Sequence, residues 1–92
     1  MQVDSTLFGD SRVRREILLR FFARPGVEHH VRELARLLGW SATIVGRELD
    51  RLERAGVLHS ERIGTARRYR VDERSPIASE IRSLVPESEK GK

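Results

Sequence analysis

The 92-residue sequence predicts a mainly α-helical domain that carries a small β-hairpin. Three observations predict it. Apolar residues recur at spacings of three and four through most of residues 11–55, the pattern of helices with one buried face. After Gly56 the period shortens to about two, as in paired strands. The breaks fall at Pro25-Gly26, Gly39, Gly56 and Gly64, residue types that end regular elements.

Residues 1–10 read as a lead-in, with Leu7 and Phe8 apolar enough to pack. Ser11 is placed to cap a first helix whose buried side is Val13, Ile17, Leu18, Phe21 and Phe22, stopped by Pro25-Gly26. The stretch "VEHHV" is either a brief strand or an extended connector. A second helix covers Arg32 to Leu38, with Leu34, Ala35, Leu37 and Leu38 on or near its buried side and Gly39 as its left-handed terminator. Ser41 caps a third helix that runs to about Ala55 and ends at Gly56. "VLHSERI" and "RRYRV" then form a hairpin around "GTA", with Tyr69 and Val71 on one side and Arg68 and Arg70 on the other. Ser75-Pro76 opens a last helix with Ile77, Ile81, Leu84 and Val85 on its apolar side, and Pro86 ends it. Three segments follow: a lead-in over 1–10, a folded domain over 11–85 and a disordered polar tail over 86–92. The order of helix, short strand, two helices joined by a turn, hairpin and helix is the plan of a winged helix-turn-helix.

Composition narrows the function. A chain of this size buries roughly 60–65% of its unfolded surface, enough for one modest core without a deep catalytic cavity. No apolar run exceeds three residues, so no membrane span is expected. "MQVDSTLFGDSR" lacks a basic stretch followed by an apolar one, so no signal peptide is expected. Cysteine is absent, which removes disulfides, thiolate metal sites and a thiol nucleophile, and suits a reducing, cytoplasmic setting. The formal net charge is +4, and sixteen of the eighteen basic residues are arginine. Arginine's planar fork matches phosphates and guanine edges. Arg62, Arg67, Arg68 and Arg70 lie in a stretch that contains no acid, which focuses positive charge on the wing.

The third helix shows what that charge would accompany. At 100° per residue Val45, Leu49 and Leu52 share one narrow sector, and Thr43, Arg47, Asp50 and Arg54 lie almost opposite, with Arg51 to one side. A recognition helix entering the major groove would present that face, with Arg47 as the leading candidate for a guanine edge. Ser41 and Thr43 stand at the helix start, where hydroxyls and free N–H groups can hold a phosphate; Ser41 is equally explained as a cap. Gly46, about 90° from the core sector, costs helix stability that a close sugar-phosphate strand would compensate, unless it is neutral on an exposed face. Arg51 and Arg54 suit either phosphates or intrahelical pairing with Glu48 or Asp50. Asp50 would repel phosphate. On the wing, Arg62, Arg67 and Arg68 flank the tip, where they would reach the backbone or the minor groove.

The segments "VRELARLLGWS", "VGRELDRLERAGVL" and "RRYRV", in that order over roughly residues 7–85, resemble the small winged-helix transcriptional regulators of the broad arsenic-repressor-like group. The chain also resembles regulator domains that accompany small nucleotidyltransferases, chiefly in "SPIASEIRSLV". The resemblance implies a DNA-binding regulator. Its relatives often sense metals, but His29 and His30 are adjacent in an extended stretch and point to opposite faces, and His59 stands apart. No metal site within one chain is expected, no cofactor, and no catalytic constellation. Leu7, Phe8, Phe21, Phe22, Ile77, Ile81 and Leu84 exceed what a three-helix core needs, so a homodimer through the first and last helices is expected. The expected function is sequence-specific binding of double-stranded DNA, helix 41–55 in the major groove and wing 57–72 alongside. The alternative is an adaptor that docks a partner protein, such as a nucleotidyltransferase, without reading DNA.

Overall fold

Seven elements follow one another in the computed structural model, which describes residues 12–24 and 26–84. They are α1 (Arg12–Phe22), β1 (Glu28–His30), α2 (Val31–Leu38), α3 (Ala42–Arg54), β2 (Leu58–Ile63), β3 (Ala66–Val71) and α4 (Pro76–Leu84). The Ser11 cap, the lead-in, Pro25, Val85, Pro86 and the tail lie outside the described residues. The predicted winged helix-turn-helix is the architecture found.

The helices bury the faces that their periodicity marks. Val13, Ile17, Leu18, Phe21 and Phe22 of α1 meet Val45, Leu49 and Leu52 of α3 in one core, which Val57, Leu58, Tyr69 and Val71 close from the wing. Each such aliphatic or aromatic side chain contributes about 1.5–3 kcal/mol on full burial. In α2 the buried stripe runs through Leu34, Ala35 and partly Leu38, while Leu37 is 51% exposed, contrary to expectation. The reason is angular: at 100° per residue Leu37 sits roughly 110° from the centre of that stripe. Gly39 ends α2 with φ +79°, where its N–H donates to the Ala35 carbonyl at 2.9 Å. A residue with a Cβ would be strained in that conformation.

"VEHHV" resolves as a strand, and it does more than connect. β1 pairs antiparallel with β3, and β2 pairs with β3 from the other side, so the sheet has three strands in the order β1-β3-β2. The wing is therefore anchored to the strand that leads directly into α2. His29 pairs with Tyr69 across this ladder and is buried at 9% exposure. Its ring stands edge-on to Phe21, with centroids 5.2 Å apart and planes at 84°. The β1–β3 pairing thus turns His29 inward.

Two polar ties join helices that the sequence shows only separately. Arg14 Nε donates to Glu48 Oε1 at 2.8 Å in a buried ion pair between α1 and α3. Trp40 covers the junction after α2 and donates its indole N–H to Glu16 Oε1 on α1 at 2.8 Å. In α4, Ala78 and Ile81 are buried, and Arg82 lies over the Phe22 ring at 5.2 Å while bonding Glu73. Phe21, Phe22 and Ile81 are consequently spent inside one chain. Of the surplus apolar residues, Leu84 is 63% exposed and Ile77 half-buried, while Leu7 and Phe8 lie outside the described residues.

Candidate nucleic-acid interface

The helix-turn-helix presents α3 by its outer face. Ser41 is the N-cap in extended conformation, and its Oγ accepts from the Ile44 N–H at 3.2 Å. The hydroxyl therefore serves the helix, which satisfies a donor that has no partner within the first turn. Thr43, Ile44, Arg47, Asp50, Arg51 and Arg54 are exposed, as the helical wheel requires. Arg54 bonds Asp50 through both Nε (3.0 Å) and one terminal nitrogen (2.6 Å), the i,i+4 pairing that the sequence left open. Arg47 and Arg51 form no ion pair among the described residues. Two guanidiniums are thus unoccupied on this face, and a third is held by an acid.

Gly46 turns to a different neighbour than the sequence suggested. A Cβ built there would meet Val31 Cγ1 of α2 at 3.6 Å, an ordinary contact distance. Its side of α3 faces α2.

The wing separates its four arginines into two kinds. Arg62 and Arg67 lie directly opposite each other in the β2–β3 register, one rung from the Gly64-Thr65 turn, and both are exposed. Gly64 has φ +65°, and a glycine at the first loop position suits a two-residue hairpin turn. Like charges directly opposite are unfavourable in a ladder, so this pair suits a surface that meets anions. Arg67 donates to Ser60 Oγ at 3.0 Å, and Ser60 donates its hydroxyl (2.8 Å) and its N–H (3.3 Å) to Glu53 Oε2 of α3. Arg68 and Arg70 both reach Glu28 of β1, at 3.2 and 3.5 Å. The acid-free run along the chain is therefore not acid-free in space: Glu28 meets it from one side and Glu53 from the other.

Tyr69, 5% exposed, anchors the wing against the core. Burial pushes its hydroxyl pKa up, Glu53 and Asp50 add to the rise, and Arg67 opposes it. The bonds from Ser60 to Glu53 place the base of the wing beside the acidic edge of α3. Sequence reasoning missed Glu28 and Glu53 as the residues that position arginines. The alternation of β1 would put Glu28 on the outer sheet face, but nothing along the chain shows that β3 lies next to it.

A winged helix-turn-helix with an exposed α3 and an arginine-tipped wing is the class that this geometry defines. No protein-family model matches the chain, and no curated protein matches it. Among solved structures it is similar to HlyU from Vibrio cholerae N16961, with a TM-score of 0.66 and 22% identity over 80% of this chain and 75% of that one. Reduced HlyU from the same organism gives 0.65 and 21%, over 82% and 74%. An ArsR-family transcriptional regulator gives 0.59 and 21%, over 77% and 70%. At these identities the likeness is one of fold.

Proposed function

We propose that the chain is a sequence-specific, double-stranded DNA-binding regulator of transcription that works from the cytoplasm as a homodimer. α3 enters the major groove and the wing lies on the backbone or in the minor groove. The observation that carries this reading is the Arg62–Arg67 pair at the wing tip, two exposed arginines directly opposite in the ladder with no acid on their own rung. Arg47 and Arg51, exposed and without ion pairs among the described residues, supply the helix side of the same surface. The fold shared with the ArsR-family regulator supports the reading.

Within it, Arg47 reads a guanine edge through a two-point contact, and Thr43 and Arg51 hold phosphates. Arg54 and Arg68 join only by giving up their bonds to Asp50 and Glu28. The dimer forms through the first and last helices, with Leu84 and Ile77 of α4 contributing, and its two-fold symmetry calls for two half-sites about one helical turn apart. Selection of bound duplexes from a random pool, followed by binding isotherms at several salt concentrations, tests the proposal. The expected outcome is an enriched palindromic site whose affinity falls steeply with salt. No enrichment and no salt-dependent binding would leave the adaptor reading, in which a partner protein occupies this surface.

A further inference from the structure

On the flank of the molecule a cavity of about 460 Å³ opens between the C-terminal half of α1, β1 and the end of α2. No described residue of α3 or of the β2–β3 hairpin lines it. Leu19, Val27 and Leu38 give it apolar walls. Arg20, in the last turns of α1, and Arg24, just beyond its end, stand beside them, exposed and without an ion pair among the described residues. Two guanidiniums beside one apolar wall favour an anionic group, which each can hold by charge-assisted hydrogen bonds. Its volume falls within the range of small-molecule sites, on the order of 300–1,000 Å³, and its lining is half apolar and half charged or polar.

The remaining polar residues of the lining connect the cavity to the helix-turn-helix. Glu16 accepts the Trp40 indole N–H just beyond the C-terminus of α2. His29 Nδ1 lies 3.3 Å from Glu33 Oε1, and that same oxygen accepts the His30 N–H at the N-terminus of α2. His29 Nε2 is buried with no hydrogen-bond partner among the described residues, a group that normally finds one. Both ends of α2 are thus tied to residues of one cavity.

We propose that this cavity binds a small amphipathic organic anion, an apolar body bearing a carboxylate, and that occupancy adjusts the seating of α2. Arg20 and Arg24 take the carboxylate by charge-assisted hydrogen bonds, and the apolar walls take the body. The ligand changes the helix-turn-helix by as much as it prefers one seating of α2 over another. The effect on DNA affinity rests on the regulator reading above; the binding itself does not.

Calorimetric titration of the full chain with phenylacetate and with octanoate, beside phenethylamine as a cation of similar shape, tests the site. The expected result is saturable one-to-one binding of at least one carboxylate and none of the amine, with a change in the fluorescence of Trp40, the single tryptophan. Arg20→Ala with Arg24→Ala should weaken binding at least tenfold at an unchanged melting temperature. Arg24→Glu, outside α1, gives a second variant that reverses charge without touching the helix. Failure of both carboxylates to bind, equal binding of the amine, or binding untouched by either variant overturns the site. Duplex affinity should shift at least threefold at saturating carboxylate. An unchanged duplex affinity with intact carboxylate binding overturns the coupling alone. A chain that binds no DNA overturns the regulator reading and leaves the calorimetric result standing.

Discussion

Replacing Arg62 and Arg67 with alanine should separate a phosphate-binding wing from a merely solvated one. The two residues oppose each other one rung from the turn, and both are exposed. Neither packs in the core, and the bond from Arg67 to Ser60 lies at the surface. Facing like charges cost the hairpin up to roughly 1 kcal/mol, so their removal should leave the melting temperature unchanged or slightly higher. If each guanidinium neutralises one phosphate, the salt slope of duplex binding should flatten by about 1.8, at about 0.9 for each lost contact. Across a fourfold rise in salt, that slope corresponds to about tenfold less loss of affinity in the double variant than in the parent. Arg67→Ala with Arg68→Ala should flatten the slope by about half as much, because Glu28 already holds Arg68. Fluorescence anisotropy with a labelled duplex at several salt concentrations, beside a thermal melt, measures both quantities. A normal melt with an unaltered slope would refute the wing contact and move the adaptor reading ahead.

The remaining expectations concern the helices. Arg47→Ala should cost about 1–3 kcal/mol at the selected site and relax preference at one base pair; equal losses on selected and random duplexes would reduce Arg47 to a phosphate contact. Leu49→Ala, at a position with no exposed surface, should destabilise the fold by about 2–5 kcal/mol in chemical denaturation, and an unchanged midpoint would contradict its place in the core. Gly46→Ala should gain about 1 kcal/mol, a rise of roughly 4–8 °C in melting temperature, since the new methyl meets Val31 at an ordinary distance. A loss of stability there would show that α2 cannot accept the methyl. Glu33 carries a pH signature, because the His30 N–H holds its carboxyl below the usual carboxylate range, against desolvation and with smaller help from His29. A depressed carboxyl stabilises the fold at pH values above that range and loses the contribution as pH falls through it. Glu33→Gln should therefore melt below the parent near neutrality and converge with it in acid; a constant gap would rule out titration of Glu33 as the cause.

The sequence by itself determined the order of the four helices and the hairpin, the buried face of each long helix and the exposed face of α3. Those properties depend on local spacing: Val45, Leu49 and Leu52 share a face because 3.6 residues make a turn, whatever surrounds them. Gly39 and Gly56, both at positive φ, and Ser41 as a cap were legible for the same reason, since each acts on backbone within a few residues of itself. Tertiary structure alone decided which charges are free. Arg54 had its partner one turn away and was legible as one of two outcomes. Arg68 and Arg70 find Glu28 forty and forty-two residues away, and Arg14 finds Glu48 thirty-four residues away. No periodicity encodes such pairs, because they depend on β1 lying against β3 and on α1 crossing α3. The same β1–β3 pairing buried His29 and brought it to the cavity beside α1. Charge along a chain adds up residue by residue; the field that a phosphate meets is set by the acids that folding brings alongside.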